Sequence, residues 1–299
     1  MKAKETKGKI FRFFSLSLHS ESVLKTMKAQ KILFITQEMT PYVSESELAT
    51  MGRKLPQAIQ EKGREIRTFM PKWGNINERR NQLHPVIRLS GMNIIIDDTD
   101  NPLIIKVASI QSARMQVYFI DNDDYFVKRK MATDEDGNEY ADNGERAIFY
   151  ARGVLATVMK LRWTPDVIHC QGWMSALVPL YVKTAYKDEP AFRNCKVVYS
   201  PSPEELKNPM GKNFGNCIAF KDVDSSVLAD FSEEMTFEEL NKLAIKYADG
   251  VTFSNNGANQ NLIDYTKELN IPVLENMDGA DDVRFSEFCD SICGGEDNE

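Results

Sequence analysis

The sequence predicts an α/β fold with a mainly parallel sheet and helices on both faces. Three features predict it: short apolar runs of strand length, apolar stripes at helical spacing between them, and regular alternation of the two. Parallel strands joined by crossover helices are covered on both faces, so they read as continuous apolar runs. Residues 31–36 (KILFIT) are such a run. Leu48, Met51, Leu55, Ala58 and Ile59 then share one helical face, Gly63 closes that helix, and residues 66–70 form the next strand. A strand-rich middle follows at 86–89, 92–96, 104–108 and 115–120. A polar loop spans 121–143. Ala147, Ala151, Val154, Leu155, Val158 and Leu161 mark a long helix, and Pro165 precedes a strand at 166–170. The remaining elements are a helix at 174–186, a strand at 196–200, an irregular stretch at 201–234, and then helix 237–247, strand 251–253, helix 259–269 and strand 271–274.

These elements read as one domain over residues 27–290, with residues 1–26 as an extension outside the fold and 291–299 as an acidic tail. The extension is basic, and Arg12, Ser15 and Ser17 interrupt its apolar stretch, which argues against a secretory leader. Met27 stands directly before the first strand and reads as a natural start of translation.

At 299 residues, with 42% hydrophobic and 27% charged, the chain can bury a sizeable core. The net charge of −7 argues against nucleic acid as a partner, because phosphates need basic surface. The short tract Lys128-Arg129-Lys130 is followed by Asp134, Glu135 and Asp136 and reads as a solvated face. No apolar run is long enough to span a membrane. The five cysteines, at 170, 195, 217, 289 and 293, have no zinc spacing, and the three histidines, His19, His84 and His169, lie away from the closest pair. No metal is expected, and reduced thiols point to the cytoplasm. Gly211-Lys212 lacks the rest of a phosphate-binding loop and reads as a turn.

In a fold of this class ligands sit at the carboxyl ends of strands. That selects the loops after Thr36 and Ile120 and the turn from Cys170 to Trp173. Four segments there and beyond carry a resemblance. Glu38, Pro41 and Tyr42, then Leu48-Ala49, stand in the register of E-x-x-P-[FY]-x-K-T-G-G-L-A-D, with Ser44-Glu45-Ser46-Glu47 where that pattern has K-T-G-G. GREIRTFMPKWG at 63–74 is similar to G-H-x-V-R-x-x-x-P-x-Y-G. DVIHCQGWMSALVP at 166–179 is similar to D-V-[IV]-H-x-H-D-W-x-x-[AG]-L-x-P. Ala248-Asp249-Gly250-Val251 with Ser254 resembles A-D-x-V-x-x-V-S. In this order the segments resemble the bacterial glycogen/starch synthases, especially a short single-domain branch. The resemblance implies the Rossmann-like N-terminal half of a GT-B glycosyltransferase, the half that holds the α-glucan acceptor, and no cofactor.

The departures from the family's pattern matter as much. The family's Lys and two Gly are implied to meet the ADP-glucose diphosphate. Glycine lets backbone N–H groups approach a phosphate, and lysine neutralises it. Here Ser44, Ser46 and Glu47 stand in those places, with Glu45 between. A carboxylate about 5 Å from a phosphate costs on the order of 3 kcal/mol at an effective dielectric near 20, less when exposed. Read locally, the same segment is a helix N-terminus capped by Ser44 or Ser46. The second His of H-x-H-D-W, implied to contact the transferred glucose, is Gln171, and the Asp is Gly172. His169 and Trp173 are kept. His169 reads either as a sugar ligand or as a hydrogen-bonded residue at a strand end, and Trp173 as a stacking face or as helix packing. Residues 138–143 (NEYADN) resemble the family's Y-x-D-N stretch. Tyr140, Asp142 and Asn143 are there either sugar ligands or a cap of the following helix.

The resemblance also implies a second, nucleotide-binding domain, which this sequence does not show. The expected partners are therefore an α-glucan or maltooligosaccharide and a separate synthase or nucleotide-binding domain. The expected activity is glucosyl transfer from ADP-glucose to an α-1,4-glucan when such a domain completes the site. The alternative is an inactive protein that binds glucan or a synthase.

Overall fold

Strand β1 (Lys31–Thr36) is buried along all but its first residue and pairs in parallel on both sides, with β2 (Glu65–Pro71) and β7 (Val167–Gln171). Its apolar run therefore meets helices on both faces. This arrangement comes from a computed structural model that describes residues 29–203, 206–254, 259–278 and 281–294. The extension at 1–26, with Met27, and the tail residues from 295 on lie outside the described residues.

The sheet extends from β1 in two directions. On one side are β2 and then β6 (Met115–Asp121), both parallel. Beyond β6, β5 (Thr99–Ile110) runs antiparallel and also pairs with β3 (His84–Pro85) and β4 (Met92–Ile96). On the other side β7, β8 (Lys196–Ser200), β9 (Gly250–Ser254) and β10 (Val273–Met277) follow in parallel. Seven of the described strands thus run parallel, and the antiparallel ones gather at one edge.

Side chains alternate across the sheet, so in-register Phe34, Thr36, His169 and Gln171 share one face. Helices α1 (Glu47–Glu61) and α7 (Asp282–Cys293) cover that face. The long α2 (Asn143–Leu161) covers the opposite one, where Gly153 fits against Ile120 and Leu103. The other described helices are α3 (Val178–Lys183), the single turn α4 (Phe214–Cys217), α5 (Phe237–Lys246) and α6 (Gln260–Glu268). α5 begins with a capping box in which Thr236 and Glu239 satisfy each other's backbone N–H groups.

Three elements differ from the sequence reading. Residues 86–90 form a turn, with Val86 O accepting from Leu89 N and Ser90 N. Only His84 and Pro85 pair there. The helix expected at 174–186 is split into a 3-10 turn, Trp173–Ser175, and α3. α7 was not foreseen and runs through the domain boundary drawn at 290.

α7 is held by both packing and charge. Phe285 lies against Phe34 and His169, and Phe288 against Gly250. The Asp290 carboxylate accepts from Ala29 N at 2.9 Å and from both terminal nitrogens of Arg64 at 3.1 and 2.8 Å. The Arg64 side chain is only 1% exposed, so loss of its anion leaves a buried cation supported by carbonyls alone. Because Asp290 itself is partly exposed, Asp290→Ala is expected to cost about 2 kcal/mol in urea denaturation. A change below about 0.5 kcal/mol, within the range of an ordinary surface substitution, would show that this pair does not hold α7.

Candidate functional site

The chain leaves β1 toward β2 on one side and leaves β7 toward β8 on the other, so the loops after these neighbouring strands diverge and open a crevice at the sheet's carboxyl edge. Thr36, the last residue of β1, forms its floor. Its hydroxyl lies 2.8 Å from Glu38 O and 2.9 Å from Gln171 Oε1, and it accepts from Glu38 N at 3.2 Å. From the opposite face Tyr150 donates to Thr36 O at 2.8 Å.

The first turn of α1 forms one wall. Ser46 is the N-cap, and its hydroxyl accepts from Ala49 N at 2.9 Å while donating to Glu38 Oε2 at 2.6 Å. Glu38 is a buried carboxylate that also accepts from Gln37 Nε2 at 3.3 Å. Ser44, Glu45 and Glu47 are exposed beside it. Of the two capping candidates in the sequence, Ser46 caps. α1 approaches this closely because residue 52 is glycine: a Cβ there would stand 2.3 Å from Glu38 O and 3.4 Å from Gln171 Oε1.

The turn after β7 forms the other wall. Gln171 is buried, and its Nε2 has no partner among the described residues. Gly172 has φ +82°, and a Cβ on it would lie 2.3 Å from Gln37 Oε1 and 2.6 Å from Gln37 Cδ. Gln37 thus fills the space beside the position where the family motif has Asp. The structure does not bring His169 or Trp173 to the crevice surface. Trp173 is fully buried, so neither of its faces is open for stacking on a sugar. His169 packs edge-on against Phe34 and beside Phe285, with Nε2 2.7 Å from Ser200 Oγ. Burial pushes its pKa down to about 3, so the ring is neutral.

The segment before α2 is engaged in holding its own loop. Asp142 takes both terminal nitrogens of Arg129, at 2.7 and 2.5 Å. Burial opposes its charge, but Arg129 holds the carboxyl below its usual range. Arg129 also lies 4.2 Å over the Tyr140 ring, so one member of the tract read as a solvated face is an internal anchor. Asn143 does not cap α2: its Nδ2 donates to Ala132 O at 3.0 Å, and its Oδ1 accepts from Arg146 at 2.8 Å.

Arg146 was missed in the sequence. It is fully buried and donates to the carbonyls of Tyr125, Lys130 and Met131, with Trp73, Phe126 and Tyr140 around its guanidinium. Burial lowers its pKa to about 10, so it stays charged near neutrality. A charged residue directly beside the apolar stripe that begins at Ala147 was the available signal. Glu38 was legible as the first residue of a motif, and Thr36 and Gln37 only as its neighbours.

Among the described residues no group of three or more His, Cys, Asp or Glu is placed to hold a metal ion, and no helix is long and apolar enough to cross a membrane. The five thiols are free, and four of them are buried.

Two outcomes are expected from this geometry. Gly172→Ala should destabilise by about 1–3 kcal/mol, from the left-handed backbone and the Gln37 contact. Gln37→Ala should recover part of this in a double-mutant cycle. Full additivity would mean that the two positions are not coupled. His169 gives the second. Its folded pKa lies below the unfolded value near 6.5, so its contribution is present above pH 6.5 and is lost as the pH falls toward 3. The slope from this one group is at most about 1.4 kcal/mol per pH unit. His169→Phe should flatten denaturation midpoints over that range, and an unchanged pH profile would contradict the assignment.

Comparison with known proteins accounts for this arrangement. The profile of the starch synthase catalytic domain matches residues 31–268. A glycogen synthase from Chlorobaculum tepidum is 36% identical over 238 residues, which cover 78% of this chain and 47% of that protein. One from Chlorobium luteolum is 40% identical over 169 residues, covering 56% of this chain and 35% of that protein. The chain therefore spans about half the length, or less, of the curated relatives it matches. The catalytic domain of starch synthase IV from Arabidopsis thaliana, solved bound to ADP and acarbose, superposes with a TM-score of 0.64 at 16% identity, covering 84% of this chain and 52% of that one. That likeness shows the fold, a GT-B glycosyltransferase catalytic domain with a mostly parallel sheet. The profile match over most of the chain means that the chain belongs to the starch synthase catalytic domain family.

Proposed function

We propose that this chain works on the glucan side of its family's chemistry: it holds a neutral α-glucan or maltooligosaccharide in the crevice and does not by itself bind the ADP-glucose diphosphate. The observation that carries this reading is the first turn of α1. Where the family's motif has Lys and two Gly, the Ser46 hydroxyl is committed to Glu38 and to its own helix, and Glu45 and Glu47 are exposed beside it. The helix N-terminus that favours an anion is thus already matched by carboxylates. Because these carboxylates are exposed, water and salt screen their repulsion of a phosphate, and it adds to the loss of the lysine rather than acting alone. Transfer from ADP-glucose would need cationic groups that the first turn of α1 does not supply.

What the crevice offers suits a neutral, hydroxyl-rich ligand. Gln171 keeps an amide donor open, and Ser200 and Thr252 add hydroxyls beside it. Tyr140 and Asp142, in the loop that meets Gln37 through Met131, stay half-exposed, and each retains acceptor capacity beyond its bonds to the loop. Trp173 and His169 contribute only as support from below.

Calorimetry on the purified chain tests the reading. Maltooligosaccharide is expected to bind and ADP-glucose to bind far more weakly or not at all. Gln171→Ala is expected to weaken the sugar by about three- to tenfold, the worth of one ordinary hydrogen bond. Tight ADP-glucose binding without glucan binding would reverse the assignment. Binding of neither would favour a role as partner of a synthase.

A further inference from the structure

We infer that the closed end of the crevice, beneath the first turns of α1, is a pocket built for a single uncharged alcohol group, and that His169 acts through Ser200 and Thr252 to position the hydroxyls that receive it. The pocket lies at the carboxyl ends of β7, β8 and β9 and is lined by Glu47, Leu48, Met51, Gln171, Ser200 and Thr252, among others. It is a small space, and none of residues 138–143 lines it.

Two observations point to a ligand there. First, Gln171 is 2% exposed and lines the pocket; its Oε1 is engaged by Thr36, while Nε2 has no partner among the described residues. A buried amide N–H left unpaired is costly, so the site calls for a group that accepts a hydrogen bond. Ser202, between the lining residues Pro201 and Pro203, is likewise buried with an unpaired hydroxyl. Second, the pocket wall is wired to a buried imidazole. His169 Nε2 lies 2.7 Å from Ser200 Oγ, which in turn is hydrogen-bonded to Thr252 Oγ1. Each ring nitrogen of a neutral imidazole is either a donor or an acceptor. The relay therefore runs in one of two directions: from Nε2–H through Ser200 to a Thr252 hydroxyl that donates into the pocket, or inward from the ligand to Nε2.

These features select the ligand's chemistry. An alcohol accepts from Gln171 and can donate to, or accept from, the end of the relay. An ammonium cannot accept the Gln171 hydrogen. A phosphate or carboxylate would bring an anion against a lining that contains Glu47 and no lysine or arginine. Leu48, Met51 and the two prolines suit the CH or CH2 that carries the hydroxyl. The inference rests on the glucan reading for the molecule that bears this alcohol, but the pocket's selectivity can be measured apart from it.

The test uses the full chain, labelled with 15N. The Gln171 side-chain amide signals are assigned by their absence in Gln171→Leu or, should that variant not fold, by through-bond correlation to the Gln171 backbone. Glycerol, inorganic phosphate and methylammonium are then titrated in turn. Glycerol is expected to shift the Gln171 pair saturably, and the two ions to leave it in place. Ser200→Ala and Thr252→Val should each weaken glycerol by about three- to tenfold. His169→Phe keeps an aromatic ring between Phe34 and Phe285 but should weaken glycerol similarly, and His169→Gln, which restores a hydrogen-bonding group, should recover it. A shift with phosphate or methylammonium, no shift with glycerol, or glycerol affinity in Thr252→Val and His169→Phe unchanged from that of the unsubstituted chain would overturn the inference. If maltooligosaccharide binds while the Gln171 pair stays still, the pocket is wrong and the glucan reading stands. If glycerol shifts the pair and no maltooligosaccharide binds, the glucan reading fails and the pocket stands.

Discussion

A parallel strand with parallel neighbours on both sides has no free backbone edge and no free face, and β1 is such a strand, at the point where the sheet's order reverses. Its backbone groups are used by β2 and β7, and its side chains by the helices on either face. Polar atoms can enter only where pairing stops, at Thr36. The chain exits there in one direction and from Gln171 in the other, so a crevice at this point follows from topology. Thr36 ties the two exits together and is fixed from behind by Tyr150. Gly52 then sets how near α1 can come. The crevice is thus framed by groups that the core already requires, and a framework of this kind holds a binding site better than free loops do.

The loop after β6 is held differently. It has little sheet or helix of its own, and it is ordered by one buried guanidinium. Arg146 collects three loop carbonyls and lies among three aromatic rings, while Arg129 pairs with Asp142. Burying an arginine is unfavourable unless its donors are met, and carbonyls meet them without adding a second charge. This loop is therefore built on α2 rather than hanging free, which explains why Tyr140, Asp142 and Asn143 spend much of their hydrogen-bonding capacity internally.

Strands buried on both faces were legible in the sequence because burial itself writes the signal: β1, β2, β6, β7 and β8 start and stop within a residue or two of their apolar runs. Elements fixed by distant partners were not. β5 runs from Thr99 to Ile110, longer than its apolar run, because three strands pair along it. α7 carries Phe285, Phe288, Cys289 and Ile292 at helical spacing, but its placement depends on Arg64, more than 200 residues earlier. The site was legible as a set of loops and not as a set of contacts. Sequence spacing placed Gln171 at the crevice, yet it could not tell that Trp173, two residues on, turns into the core, or that Asp142 is taken by Arg129.

The departures from the family's pattern are compensated by one another. A serine at 46 would waste a hydroxyl, but it caps α1 and satisfies a buried carboxylate at 38. A glycine at 172 would leave a gap, but Gln37 fills it and gives its amide to Glu38. A glutamine at 171 has an oxygen to satisfy, and Thr36 satisfies it. Random loss of function at a site leaves stranded polar atoms and unpaired charge, each costing about 1–3 kcal/mol. At these replaced positions one such atom remains, Gln171 Nε2, and it lines a pocket. The substitutions therefore behave as a connected set, consistent with a crevice remade for an uncharged ligand rather than one left to decay.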